Sequence, residues 1–156
     1  MTPLEDVQDL PPMGALMGLD PGTKTIGVAV SDGLRLTATA LETIRRKKFT
    51  QDAERLKDIA LGRSIVGVVI GLPLNMDGSE GPRVQSARAF ALNVTKALDL
   101  PVAFWDERLT TAAAERTLLE ADASRKRRKE VIDSLAAQYI LQGALDRLAA
   151  SGGSGI

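Results

Sequence analysis

The first apolar segments of the chain predict three β-strands that pair in an antiparallel arrangement. Residues 15–20 and 25–31 are joined by a turn that contains Pro21 and Gly22, and residues 34–44 (LRLTATALETI) alternate between apolar and polar positions. Alternation with a period of two, interrupted by short turns, is typical of antiparallel strands. The sequence therefore predicts a three-stranded antiparallel unit near its N-terminus.

Further along, the chain alternates between helical patterns and additional strands. Residues 64–71 (SIVGVVIG) are apolar on both faces, as in a buried parallel strand, and residues 101–105 predict another short strand. Apolar residues at helical spacing predict helices over residues 49–61, 83–98, 111–121 and 130–149. The predicted fold class is α/β, with a mixed sheet of three antiparallel strands followed by βα units and helices packed on both faces.

The length of 156 residues suits one domain with a sizeable core. We expect this domain to span residues 14–150. Residues 1–13 are rich in proline and acidic residues and predict a flexible N-terminal extension, and residues 151–156 (SGGSGI) predict a flexible tail.

The absence of cysteine and histidine limits the chemistry that the chain can perform. It excludes disulfides, thiol nucleophiles, zinc sites of the usual Cys/His kind and Ser-His-Asp triads. Carboxylates, lysines and hydroxyls remain, and oxygen-only ligands favour Mg²⁺ or Mn²⁺ as a cofactor. The chain also has no apolar run long enough to span a membrane and no signal peptide pattern, so we expect a cytoplasmic protein without a membrane partner.

Three carboxylates stand out by their positions in the predicted elements. Asp20 ends the first strand, Glu107 follows the last strand, and Asp133 lies inside the last helix. Sites in open α/β sheets gather at the carboxyl ends of strands, so the first two side chains could meet there. The alternatives are that Asp20 only stabilises its turn and that Glu107 is a solvated loop residue.

Asp133 is the most informative of the three because it interrupts an apolar helix face. Around the predicted helix, Ala136, Ala137, Ile140 and Ala144 fall within roughly 60° of it. A buried carboxylate needs a partner, which would be a metal cation, backbone donors, or a lysine or arginine in a buried salt bridge. Three carboxylates from separate elements suit a divalent-cation site, and such a site supports hydrolysis of phosphate esters.

Other polar residues predict contacts with a nucleic acid. The loop GLPLNMDGSEGPR follows the buried strand and offers Asn75, Ser79 and Arg83, while Lys24 and Arg108 flank the two acidic strand ends. Two basic runs interrupt an otherwise neutral chain. The first, residues 45–48, is more simply a solvated surface. The second predicts phosphate contacts because it lies just before Asp133, and it consists of Arg125, Lys126, Arg127, Arg128 and Lys129.

Together, the motifs GLDPGTKTIGVAVSD, VVIGLPLNMDGSEGPR, WDERLTTAAAE and SRKRRKEVIDSLAAQYILQG resemble the bacterial pre-16S rRNA nuclease family, also called Holliday junction resolvase-like. The resemblance runs from about Met17 to Leu148. It implies a ribonuclease H-like fold, catalytic roles for Asp20, Glu107 and Asp133, and maturation of the 5′ end of 16S rRNA in the cytoplasm. The implied partner is precursor rRNA, and whether the chain forms a homodimer is left open.

Other functions also fit parts of this pattern. A DNA junction resolvase would use the same chemistry on branched DNA, because phosphate contacts do not distinguish the two sugars. An actin-like ATPase could use the DPGTKTIGVAVSD hairpin to bind phosphate, but the sequence offers no second glycine-rich hairpin. A non-catalytic RNA-binding assembly factor is the third alternative, and it leaves the buried Asp133 without a purpose.

Overall fold

A five-stranded sheet forms the centre of the computed structural model, which describes residues 1–109 and 125–153. The strands lie in the order β3-β2-β1-β4-β5. Strands β1 to β3 pair antiparallel, and β4 and β5 extend the sheet in parallel to β1. Their bounds are β1 (Ala15–Pro21), β2 (Thr25–Ser31), β3 (Ala38–Arg45), β4 (Ile65–Leu72) and β5 (Val102–Asp106).

Within these described ranges, three helices cover the two faces of the sheet. Helices α1 (Phe49–Gly62) and α2 (Pro82–Leu98) pack on one face, and the long helix α3 (Arg125–Gly153) packs on the other. Each face has its own apolar core, because β1 and β4 bury alternate side chains on opposite sides. The predicted α/β class with a mixed sheet is confirmed. The predicted helix over residues 111–121 lies outside the described residues.

The third strand begins later than its alternating pattern predicts. Leu34 and Leu36 are exposed, and the carboxylate of Asp32 accepts hydrogen bonds from the amides of Leu36 and Thr37. This local turn uses the backbone groups that an extended strand would need for pairing. Residues 34–37 therefore form a loop, and pairing with β2 starts at Ala38.

Residues 1–13 are more ordered than their composition suggests. Val7 and Leu10 are buried, and Leu4 pairs with β5, where its amide donates to the carbonyl of Val102 and its carbonyl accepts from the amide of Phe104. Leu4, Val7 and Leu10, spaced three residues apart, supply this packing, and the pairing at Leu4 covers part of the open edge of β5. At the other terminus, α3 continues to Gly153, whereas the composition predicts a flexible tail from residue 151.

Side chains of α3 protect the opposite edge of the sheet. The amides of Ala38 and Ala40 on the edge strand β3 donate to the side-chain oxygens of Gln142 and Gln138, at 2.9 and 3.2 Å. The polar face of α3 therefore contacts the sheet edge while its apolar face covers the core. Within residues 1–109 and 125–153, no helix is long and apolar enough to cross a membrane.

Candidate functional site

Asp20 lies at the carboxyl end of β1 on the sheet face that α3 covers. Strand alternation places it on the same side as Leu16 and Gly18. Leu16 belongs to the apolar core beneath α3, and Gly18 lies against Leu141 of that helix. Its side chain is half-buried. Asp20 pairs directly with Gly27 of β2, so the two residues point to the same face.

The backbone of α3 approaches the sheet most closely at Gly27. A Cβ atom added to Gly27 would come far inside 3.0 Å of the Asp133 carbonyl oxygen, a separation that real Cβ atoms essentially never show. Because Gly27 is the cross-strand partner of Asp20, this contact places the Asp133 turn of the helix beside Asp20. A larger residue at position 27 would push α3 away from the sheet.

A second glycine gives Glu107 access to the same edge of the sheet. Glu107 begins the 3₁₀ turn Glu107–Leu109 directly after β5, and a Cβ atom added to Gly71 would lie 2.5 Å from its Oε1 atom. Leu19 pairs with Ile70, so the next residues along these two parallel strands are Asp20 and Gly71. The half-buried carboxylate of Glu107 therefore lies over Gly71, next to the strand end that carries Asp20.

Asp133 faces the sheet as its helical position predicts. Ala136, Ala137, Ile140 and Ala144 are buried on the same side of α3. The half-buried Asp133 side chain accepts a hydrogen bond at its Oδ2 atom from Thr25 Oγ1, at 2.6 Å. Among the side chains of residues 1–109 and 133–151, Asp133 forms no ion pair with a lysine or arginine. The buried salt bridge considered as an alternative is therefore not observed among those residues.

The donor set at this edge fits a hard divalent cation. All three side chains offer carboxylate oxygens, which Mg²⁺ and Mn²⁺ prefer, and the two glycines let the segments that carry Asp133 and Glu107 approach the sheet closely. Among the side chains of residues 1–109 and 133–151, however, no three acidic groups already surround one position for a metal ion. Binding of one cation by all three carboxylates therefore stays a prediction.

The loop after β4 is shaped by its own polar side chains. Asn75 Nδ2 donates to Ser79 Oγ at 2.9 Å, and the Ser79 hydroxyl donates to an oxygen of Asp77 at 2.6 Å. Both Asn75 and Ser79 are exposed. These contacts assign the two side chains a part in the loop structure, and their predicted contact with nucleic acid stays untested.

Arg108 connects this loop to the end of β5. Its guanidinium forms an ion pair with Asp106 at 2.7 Å and donates to the Met76 carbonyl at 3.1 Å. Hydrogen bonding from Arg108 holds the pKa of the Asp106 carboxyl below its usual value, and Asp106 in turn raises the pKa of Arg108. Since Glu107 lies between these two residues, the pair helps to fix the turn that carries it.

The other basic residues predicted to bind nucleic acid lie in a turn and at the starts of two helices. Lys24 is exposed in the β1–β2 turn, and Arg83 is exposed in the first turn of α2. The run Arg125–Lys129 forms the start of α3, but its side chains lie outside the described part of the structure.

Sequence reasoning missed the residues that hold the carboxylates in place. Gly27 and Gly71 resemble ordinary small residues in apolar strands, and Thr25 resembles a residue chosen for strand propensity. The available signal was that both glycines interrupt β-branched runs, which often marks the close approach of another segment.

Comparisons with known proteins agree with the fold described above. A sequence model of the family described as "RuvX: Holliday junction resolvase" matches residues 14–147. A protein of Cereibacter sphaeroides named "Putative pre-16S rRNA nuclease" is 69% identical over 146 residues, which cover 93% of this chain and 91% of the relative. A protein of Roseobacter denitrificans with the same name is 66% identical over 151 residues and covers 93% of each chain.

Solved structures of junction-cleaving proteins share the fold. Thermus thermophilus RuvC in complex with a Holliday junction substrate superposes with a TM-score of 0.54 at 15% identity, covering 90% of this chain and 97% of that one. The yeast mitochondrial Holliday junction resolvase Ydc2 gives a TM-score of 0.50 at 9% identity, covering 97% and 83%. At such identities the likeness concerns the fold alone, and it confirms the ribonuclease H-like architecture.

Proposed function

Because the chain belongs to the RuvX family of Holliday junction resolvase-like proteins, we propose that it is a metal-dependent endonuclease that processes the 5′ end of precursor 16S rRNA in the cytoplasm. The observation that carries the proposal is the convergence on one sheet edge. Asp20 ends its strand there, and Gly27 and Gly71 admit the Asp133 turn of α3 and the Glu107 carboxylate beside it. Relatives of this chain that carry the pre-16S rRNA nuclease name support the choice of substrate.

In this proposal Asp20, Glu107 and Asp133 hold Mg²⁺ or Mn²⁺ through carboxylate oxygens. When bound, the cation lowers the pKa of the attacking water and stabilises the departing oxygen of the phosphodiester. Thr25 orients Asp133, because its hydroxyl donates a hydrogen bond to the Oδ2 atom of that carboxylate. The ion pair between Asp106 and Arg108, the two sequence neighbours of Glu107, helps to fix the backbone that carries Glu107.

The predicted basic residues bind the substrate backbone in this proposal. Lys24, Arg83 and the run 125–129 all lie on turns or helix starts, where long cationic side chains can reach phosphates. Such contacts position the strand without reading its sequence, so the cleavage site must be recognised through the shape of the precursor.

The proposal is tested by incubating the protein with labelled precursor 16S rRNA that carries its 5′ leader, with Mg²⁺, Mn²⁺ or a chelator. We expect cleavage in the leader with either metal and none with the chelator. Asp20→Asn should abolish cleavage while leaving the melting temperature of the metal-free protein close to that of the wild type. Metal-independent cleavage, or full activity of the Asp20→Asn variant, would contradict the proposal.

A DNA junction resolvase is the second candidate, and the family description favours it. A four-way DNA junction and the matching duplex belong in the same assay. Symmetrical cuts at the junction, with the precursor rRNA left intact, would select this second function. Binding of the rRNA without cleavage of either substrate would instead favour a non-catalytic assembly factor.

A further inference from the structure

A cleft of about 500 Å³ opens at the carboxyl edge of the sheet, on the face opposite α3. Its lining includes Pro21 and Gly22 of the first turn, Pro73 after β4, and Ala87 of α2. Ala87 belongs to the core between the sheet and helices α1 and α2, so the cleft lies on that face. We call this space the α2 cleft.

The α2 cleft adjoins the candidate catalytic edge. Pro21 directly follows Asp20, and Pro73 directly follows the last residue of β4. Because β1 and β4 are parallel neighbours, their carboxyl ends lie at the same edge of the sheet. A strand held at Asp20 can therefore continue over this edge into the cleft.

Three cationic side chains from two separate segments line the α2 cleft. Arg46 and Lys47 come from the loop after β3, and Arg83 comes from the first turn of α2. None of the three forms an ion pair with a carboxylate among the residues that the structure describes. Their charge is thus available to an anionic ligand.

Arg46 is held in place by groups that do not neutralise it. Its Nη1 atom donates to the carbonyl of Gly22 at 2.6 Å, and its guanidinium carbon lies 5.2 Å from the centre of the Phe90 ring. The carbonyl and the ring fix the Arg46 side chain, which lines the cleft, and neither of them carries a negative charge. A fixed guanidinium loses less side-chain entropy on binding a phosphate than a flexible one does.

We propose that the α2 cleft binds the phosphodiester backbone of the substrate strand beyond the cleavage edge, through Arg46, Lys47 and Arg83. This inference rests on the proposed nuclease function. Among the described residues that line the cleft none is aromatic, and Phe90 is buried beneath Arg46, so these residues offer no ring to stack on a base. The cleft therefore binds phosphates without preference for sequence. The strand passes over the sheet edge from the α3 face to the α2 face.

The test compares two double variants with the same change in charge. Lys47→Gln/Arg83→Gln removes two cleft cations and spares Arg46, whose loss could also disturb its packing on Phe90. Arg45→Gln/Lys48→Gln removes two exposed cations of the same segment that do not line the cleft. Both are made in the full chain with Asp20→Asn, so that binding is measured without cleavage.

The measurement is fluorescence anisotropy of a labelled precursor 16S rRNA leader at several salt concentrations. The plot of log affinity against log salt concentration should become less steep for the cleft variant, by about 1.4–1.8 in the magnitude of its slope, because two phosphates are no longer bound. The slope of the control variant should change little. Equal decreases in both variants, or no decrease in the cleft variant, overturn the inference. ATP binding is measured for the same proteins. If the cleft variant keeps the salt dependence of RNA binding but loses ATP binding that the control retains, the inference is overturned, because the cleft is then a nucleotide site.

The outcome is separable from that of the proposed function. Cleavage is scored with the wild-type protein, and the cleft is scored by binding alone. If the wild-type protein cleaves the RNA but the cleft variant keeps the wild-type salt slope, the proposed role of the α2 cleft is refuted and the nuclease proposal stands. A reduced slope without any cleavage supports a backbone-binding cleft and refutes the nuclease proposal.

Discussion

At Gly27 and Gly71 the sheet surface carries no side chain, and neighbouring segments occupy the space. The two positions differ in what fills them. Backbone of α3 lies over Gly27, whereas the carboxylate of Glu107 and the end of the Ile140 side chain lie over Gly71. Backbone cannot move aside cheaply, so Gly27 restricts the position of the whole helix and Gly71 restricts one carboxylate.

Gly27→Ala should therefore reduce both stability and activity. The added methyl group collides with the Asp133 carbonyl and forces α3 outward, and overpacking of this kind typically costs about 1–3 kcal/mol. Urea unfolding and cleavage assays check this expectation. Gly33→Ala is the control, because its Cβ would meet no atom within 4 Å. Equal effects of the two substitutions would show that α3 does not depend on the glycine.

Asp133→Asn separates a metal ligand from a structural carboxylate. If Asp133 shares a site with Asp20 and Glu107, like charges oppose one another in the metal-free protein. The amide can still accept the hydrogen bond of Thr25, so the metal-free variant should be as stable as the wild type or more stable. Cleavage should disappear, and Mn²⁺ should raise the melting temperature less. A decrease of about 3–5 kcal/mol in the stability of the metal-free protein would instead indicate a broken buried ion pair.

Among the elements, those with a strong apolar period were predictable from the sequence. Helices α1 and α2 and the parallel strand β4 match the predicted ranges within one residue. These elements bury one or both faces, so their apolar residues recur with a period that can be read from the sequence. The loop of residues 34–37 was not predictable from alternation, since the Asp32 side chain competes for its amides. The order of the predicted elements was enough to place Asp20 and Glu107 at strand ends. The closeness of Asp133 and Glu107 to the sheet was not predictable, because it depends on contacts that Gly27 and Gly71 make with segments distant in the sequence.

The connection between β5 and the loop after β4 should depend on pH. Arg108 holds the pKa of Asp106 below its usual value of 3.8, so the ion pair adds stability above that pH and loses it as the pH falls through the lowered pKa. Both side chains are partly exposed, so solvent screening keeps the effect small. Urea unfolding should show a deficit for Asp106→Asn at pH 7 that disappears in acid. Arg108→Gln should show the same pattern, and a deficit that persists in acid would contradict this account.

For the whole molecule, the neutral total charge conceals an uneven distribution. Asp20 and Glu107 lie at the carboxyl ends of β1 and β5, and the Asp133 turn of α3 lies over Gly27, the cross-strand partner of Asp20. The α2 cleft lies on one side of this carboxyl edge of the sheet, and the helix that begins with the basic run 125–129 packs on the other face. A polyanion that reaches the acidic edge needs cations on its flanks to offset repulsion by the carboxylates. The arrangement therefore favours a substrate that crosses the edge over one that binds a single face.

The basic run at the start of α3 should supply the larger share of this affinity. Lys126→Ala, Arg127→Ala and Arg128→Ala, combined in one variant, should lower the log–log salt slope of RNA binding by about 0.7–0.9 for each phosphate that is no longer bound. The fold should persist, because the buried apolar residues described for α3 begin after this run, at Ala136. A matched triple variant of exposed cations elsewhere, Lys57→Ala, Arg63→Ala and Lys96→Ala, should keep the wild-type slope. If both triple variants give the wild-type slope while circular dichroism shows intact helix, the run is only a solvated surface. The strand must then be held from the α2 side alone.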